Sequence, residues 1–219
     1  MSCTRTLKAL AIVAGLLLMT GCATRQPYDY TAFKESKPRS IVVLPPLNNT
    51  PEVQASYSVL SYATLPLAES GYYVMPVTLV AETFKENGMT QPADMHATPA
   101  AKLREIFGAD AALYITISEY GTVYRVISSA SIVTAGARLV DLKTGKVLWT
   151  GAATASSEEG KSQQGGVAGM LITAIVKQVI ATVTDKSHEV AGITTARLLF
   201  ANKVNGILPG PRSPLYGKD

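Results

Sequence analysis

The sequence predicts an α/β protein: a two-layer mixed β-sheet with packed helices, preceded by a signal peptide and a flexible tether. Three observations predict it. First, short β-branched or aromatic runs stand at Ile41-Val42-Val43-Leu44 and Tyr72-Tyr73-Val74-Met75, each stopped by proline, as buried strands are. Second, stretches with helical spacing run up to Gly71, Gly88 and Gly108, glycines placed to end them. Third, a later alternating stretch folds back around Asp141-Leu142-Lys143-Thr144-Gly145-Lys146, a hairpin turn in which Gly145 supplies a positive φ. Strands alternating with helices and then strands in series give a mixed sheet.

Taken in order, the strand at 41–44 ends at Pro45-Pro46. Asn48, Asn49 and Thr50 precede Pro51, a helix start with proline in the first turn. A helix is expected over 53–69, with Val53, Tyr57, Leu60, Thr64 and Leu67 on one face and Pro66 kinking its last turn. A strand at 72–75 and a helix over 77–87 follow. Residues 89–98 read as a loop, and 99–107 as a helix with Thr98 as its N-cap. In 111–120, Leu113, Ile115 and Ile117 alternate with Tyr114, Thr116 and Ser118, the signature of a strand. Gly121 interrupts it. Strand resumes over 123–127 and 131–140, and 147–156 returns as the hairpin partner. Residues 165–185 predict a helix that is apolar nearly all round. Lys177 and Gln178 break it too soon for a membrane span, so it reads as a central packing helix. A last helix is expected over 188–201.

The organisation that follows is a leader at 1–21, a flexible tether at 22–39, one α/β domain at 40–203 and an irregular C-terminal tail at 204–219. The tether is polar and carries Pro27 and Pro38, and the tail lacks periodicity and is expected to wander.

The leader has three parts. Arg5 and Lys8 open it, and an apolar run follows from Ala9 to Met19. That run has the length of a signal-peptide core and falls short of the ~20 residues a bilayer requires. Small Thr20 and Gly21 then stand directly before Cys22. The segment resembles the lipobox of bacterial lipoproteins, with Met19 in place of the usual leucine. The resemblance implies cleavage before Cys22 and its modification by S-diacylglycerol and N-palmitoyl groups. Each buried methylene contributes ~0.8 kcal/mol, and more than one acyl chain makes a stable anchor. Ala23, where an aspartate tends to retain such proteins in the inner membrane, implies the periplasmic face of the outer membrane.

Composition narrows the function. Of 219 residues, 198 remain after the leader, with 47% hydrophobic and 16% charged residues in the whole chain, enough for a packed core. The net charge of +4 falls to about +2 without Arg5 and Lys8, and no cationic cluster argues for nucleic acid. Cys3 leaves with the leader and Cys22 is acylated, so no thiol remains for a disulfide or a thiolate metal site. His96 and His188 lack a second ligand at helical spacing; His188 with Glu189 reads as a solvated helix pair, and Asp94 and His96 fall in a loop where a metal pair is the remote alternative. No serine lies in a Gly-x-Ser-x-Gly elbow, and Ser128-Ser129 and Ser156-Ser157 read as surface. Gly165-Gly166-Val167-Ala168-Gly169 lacks the Lys-Ser/Thr ending of a phosphate loop and reads as small residues for close helix packing. No catalytic, cofactor-binding or metal-binding residue is therefore expected. Tyr57, Tyr62, Tyr72 and Tyr73 around the first long helix, and Tyr114, Tyr120 and Tyr124 on the strands, are candidates for a partner surface, although most should be half-buried core.

Thr64-Leu65-Pro66-Leu67-Ala68-Glu69, Gly71-Tyr72-Tyr73-Val74, Glu82-Thr83-Phe84 with Asn87-Gly88, and residues 102–111 resemble a family of bacterial lipoproteins of unknown function. Leu139-Val140-Asp141 with Thr144-Gly145 and Leu148-Trp149 continue the match. More distantly, Ile41-Val42-Val43-Leu44-Pro45, Gly108-Ala109-Asp110-Ala111 and residues 141–149 look like the periplasmic domains of the CsgG, TolB N-terminal and LpoB type. These resemblances imply a non-enzymatic lipoprotein that acts through contacts with envelope proteins. The alternative they imply is an oligomeric secretion or pore component of the CsgG type, which needs strands that insert together. A hydrolase would need a carboxylate pair or a Ser–His constellation that no spacing in the sequence displays.

Overall fold

A computed structural model describes residues 28–124, 129–159, 186–202 and 204–218. Among them six strands build one sheet: β1 (Ser40–Val43), β2 (Leu47–Asn48), β3 (Tyr73–Val74), β4 (Ala111–Tyr124), β5 (Ser129–Asp141) and β6 (Val147–Ser156). The order across it is β3-β1-β4-β5-β6, with β2 also against β4. β1 is parallel to β3 and β4, whereas β4, β5 and β6 form an antiparallel meander. The parallel pairs need long crossovers, which helices supply. Helix α2 (Ala55–Glu69) leads from β2 to β3. Helices α3 (Val77–Glu86), α4 (Pro92–Ala97) and α5 (Ala100–Phe107) lead from β3 to β4. Helix α1 (Thr31–Ser36) precedes β1, and α6 (Lys186–Leu199) follows the meander.

Alternation along β4 divides the core in two. Ala111, Leu113, Ile115 and Ile117 face α1, α2 and α6, packing with Phe33, Val59, Leu67 and Leu199. Ala112 and Tyr114 face the other way, among Val80, Phe84, Met95 and Leu103 of α3, α4 and α5. The α/β class and mixed sheet are as the sequence predicts. The layering varies along it. Ile41, Val42, Val43 and Leu44 are all fully buried, and a continuous apolar strand needs cover on both faces. Helices therefore flank both sides of the sheet at its parallel end. Farther along the long strands one face carries no helix among the described residues and shows Thr116, Ser118, Thr134 and Thr154.

Several elements differ from expectation. Helix α2 buries Ala55, Val59, Ala63 and Leu67, while Val53 and Tyr57, expected on the packed side, are 78% and 74% exposed. Small residues win the inner face because α2 lies close to α6, where Gly192 sits under the Tyr62 ring. The expected loop at 89–98 contains α4, started by Pro92. Thr98 does not cap α5; Pro99 holds that position, and the Thr98 hydroxyl donates back to the Asp94 carbonyl at 3.3 Å. Strand β4 runs through Gly121, whose φ of 118° with the register shift between Ile117 and Glu119 bends the strand without ending it. The hairpin turn is as expected, with Gly145 at φ 72°.

The ends of the body differ most. Residues 28–39, expected within the tether, are built onto the sheet. Residues 204–218 are irregular but do not wander, because Ile207 and Leu208 are buried in the main core. The helix expected over 165–185, the glycine-rich stretch 165–169, Ser128, the leader and Cys22 lie outside the described residues. Among the described residues no helix is long and apolar enough to cross a membrane.

Candidate functional site

The most developed polar constellation is the seam where the N-terminal segment joins the body. The Thr150 amide donates to the Tyr28 hydroxyl at 3.0 Å, so Tyr28 sits on the outer edge of β6. The Tyr28 and Tyr30 rings lie 4.8 Å apart, and the Tyr30 hydroxyl donates to the Gly206 carbonyl at 2.6 Å. Phe33 plugs the core between them and α2. Lys37, at φ 47°, closes α1 with its amide on the Phe33 carbonyl at 3.0 Å.

Next the Ser36 hydroxyl donates to the Asp141 carboxylate. Asp141, 5% exposed, also accepts the Lys143 amide at 2.9 Å, the Thr144 amide at 2.6 Å and the Thr144 hydroxyl at 2.8 Å. Burial pushes the Asp141 carboxyl up, but these hydrogen bonds together outweigh it and hold the group below the ordinary carboxylate range. Asp110 repeats the device one strand over, accepting the Arg39 amide at 2.9 Å and the Ser40 amide at 3.1 Å. The two carboxylates thus fasten the segment 36–40 to the ends of β4 and β5.

The C-terminal segment completes the seam. The Trp149 indole N–H donates to the Asn205 carbonyl at 2.9 Å and the Tyr72 hydroxyl to the Leu208 carbonyl at 2.5 Å. With Tyr30, three aromatic tips therefore satisfy carbonyls that irregular chain would otherwise bury unpaired. Gly210 donates to the Ser70 carbonyl at 2.8 Å and Arg212 to the Gly71 carbonyl at 3.1 Å.

The tyrosines separate into classes. Tyr72 and Tyr114 are buried, Tyr62 and Tyr120 half-buried, and Tyr57 and Tyr73 exposed; the Tyr124 side chain lies outside the described set. Tyr114 is sandwiched by His96, edge-on at 5.2 Å, and by the Arg138 guanidinium at 4.4 Å. His96, expected in a loop beside Asp94, sits in α4 and donates its Nε2 hydrogen to the Pro45 carbonyl at 2.9 Å. Burial lowers its pKa; the Pro45 carbonyl works against that and the Arg138 charge with it. His96 is a neutral packed imidazole with one nitrogen committed to backbone.

A Ser–His pair, which no motif spacing displayed, is assembled by the fold. Ser58 Oγ lies 3.0 Å from His188 Nδ1 and 2.9 Å from the Tyr120 hydroxyl, and Tyr62 covers the imidazole at 4.7 Å. The partners are 130 residues apart in sequence, which is why local reading missed them. Ser58 is 5% exposed, and the Tyr120 phenol bonds the serine and not the imidazole, so it does not orient a base as a triad carboxylate does. The arrangement ties α2, α6 and β4 together. Ser156 and Ser157 serve the end of β6, the Ser157 hydroxyl accepting the Ser131 amide at 3.0 Å.

Comparison with known proteins fits this architecture. A family model described as "Putative lipoprotein GNA1162-like" matches residues 28–212. The curated "Putative lipoprotein NMB1124/NMB1162" of Neisseria meningitidis serogroup B is 46% identical over 203 residues, spanning 91% of this chain and 94% of that protein. The crystal structure of lipoprotein GNA1162 from Neisseria meningitidis is 49% identical, with a TM-score of 0.55, over 65% of this chain and 98% of the other. The LpoB C-terminal domain of Escherichia coli also matches, at 16% identity and a TM-score of 0.36 over 66% of this chain and 94% of that domain, too distant to carry an argument. By family match and by identity along nearly its whole length, this chain belongs to the GNA1162-like lipoproteins.

Proposed function

We propose that the protein is a non-enzymatic lipoprotein, anchored through S-diacylglycerol and N-palmitoyl groups on Cys22 at the periplasmic face of the outer membrane, and acting by contact with envelope proteins. The observation that carries the reading is the seam. Tyr28, six residues beyond Cys22, is already bonded to β6, so an anchored chain keeps the body beside the membrane. Restricting a domain to a surface raises its effective concentration for neighbours there. Outward-facing Val53 and Tyr57 on the rim of α2 supply the apolar and aromatic chemistry that partner surfaces use. The Ser58–His188–Tyr120 cluster is spent on holding elements together, which supports a non-catalytic role.

Crosslinking in intact cells from a photoreactive residue at Tyr57 tests this. A discrete adduct with an envelope protein, lost in Cys22→Ser, is expected. Loss of cellular function in a folded, correctly located Ser58→Ala variant would overturn the non-enzymatic reading. Ring-shaped particles in electron micrographs of the purified protein would favour the secretion or pore component instead.

A further inference from the structure

We infer that one fixed surface, the outer edge of β6 among the described residues with helix α1 and the β5–β6 turn, lies against the lipid headgroups; the inference rests on the Cys22 anchor proposed above. Reach sets the first constraint. An extended chain covers about 3.3–3.6 Å per residue, so six steps from Cys22 hold Tyr28 within about 20 Å of the acylated sulfur's backbone. Tyr28 is not a swivel: Thr150 donates to its hydroxyl and its ring packs on Tyr30. Orientation of the body therefore follows from where Tyr28 is fixed, which is the outer edge of the sheet.

That edge is finished as a surface. On one side of Ala152 the Thr150 amide is taken by Tyr28, and on the other Arg197 donates to the Thr154 carbonyl at 2.9 Å while pairing with Glu159 at 2.5 Å. An edge strand blocked at two points resists the addition of another strand, and a headgroup layer demands no such pairing.

The chemistry has the right sign. Exposed Lys34 and Lys37 on α1 and its cap adjoin exposed Lys143 and Lys146 of the turn. The Ser36–Asp141 bond and the Lys146–Glu35 pair at 3.6 Å hold the two groups together. Against these four cations stand the exposed carboxylates Asp29 and Glu35, while exposed Glu159 at the far end of β6 is paired with Arg197. Cations beside phosphate headgroups are favoured. Val204, 75% exposed, precedes the Asn205 and Gly206 carbonyls held by Trp149 and Tyr30, and offers an apolar side chain at the same level. The opposite edge, with β3 and Leu79 of α3, is four strand spacings away, about 19 Å.

The test uses the full-length acylated protein in vesicles of phosphatidylethanolamine and phosphatidylglycerol carrying a headgroup-linked quencher. Fluorophores are placed singly through Thr150→Cys, Val204→Cys and Leu79→Cys. Quenching is expected to be several-fold stronger at 150 and 204 than at 79, and a long Gly-Ser spacer inserted after Pro27 should shrink that ratio. Equal quenching at the three positions, or the strongest at 79, overturns the facing surface. Protein that fails to float with the vesicles overturns the anchor and this inference with it, whereas flotation with equal quenching overturns the inference alone.

Discussion

The Ser36 hydroxyl donates to the Asp141 carboxylate, joining the segment ahead of β1 to the β5–β6 turn across 105 residues of sequence. A hydrogen bond to a charged group contributes about 1.5–3 kcal/mol. Ser36→Ala should cost about 1.5 kcal/mol by urea denaturation. Asp141→Ala should cost about 3 kcal/mol, because it also strips the Lys143 and Thr144 amides of their acceptor. In the double variant the losses should fall short of additive, and full additivity would show the bond contributes nothing.

Two pH windows follow. Burial holds His96 below the value of about 6.5 it takes in an unfolded chain. The unfolded chain binds that proton first, so stability should decline as pH falls from about 6.5 to the lower folded value, then level off. Asp141 is held below an unfolded value of about 3.9. Its contribution is complete above that pH and lost as pH falls through the folded value. Urea midpoints measured against pH should show both steps, with the upper one flattened by His96→Asn. An unaltered upper step in that variant would assign it elsewhere.

Two glycines with positive φ should respond differently. Gly145 stands at φ 72° in open space, so Gly145→Val meets only backbone strain and should cost about 1 kcal/mol or more. Gly71 stands at φ 96°, and a Cβ there would press on the Ser213 amide nitrogen and lie 2.9 Å from the Gly210 carbonyl. Backbone on both sides cannot swing aside, so Gly71→Ala should cost about 3 kcal/mol or more and expose the C-terminal segment to protease. Equal melting temperatures for the two variants would contradict the packed tail.

The packed tail marks where sequence reading stopped. Elements written in local patterns were legible: the β1 run, the Asp141–Gly145 turn, the span of β6 and the glycine stops at Gly71, Gly88 and Gly108. The seam was not, because Tyr28, Tyr30, Tyr72 and Trp149 find their hydrogen-bond partners across the fold and no periodicity announces them. The inner face of α2 was misread because large residues look like core, whereas close approach to α6 favours Ala55, Val59 and Ala63. Ser58 and His188 meet only after α2 and α6 pack. The family resemblance was legible because it rests on those same turns and strand ends.

The indole of Trp149 gives a direct check on the seam. Trp149→Phe keeps a buried ring but removes the N–H that satisfies the Asn205 carbonyl, at a cost of about 1 kcal/mol. Cleavage near residue 205 under limited proteolysis should accelerate. Unchanged cleavage would mean that packing alone holds the segment.

The central claim is that acyl chains on Cys22 moor this body to the envelope. Intact mass analysis of the native protein extracted from membranes tests it most directly. The account predicts a chain starting at Cys22 and heavier than its polypeptide by a diacylglyceryl and an N-acyl group. A chain that retains Met1, or one that begins with an unmodified cysteine thiol, would contradict it.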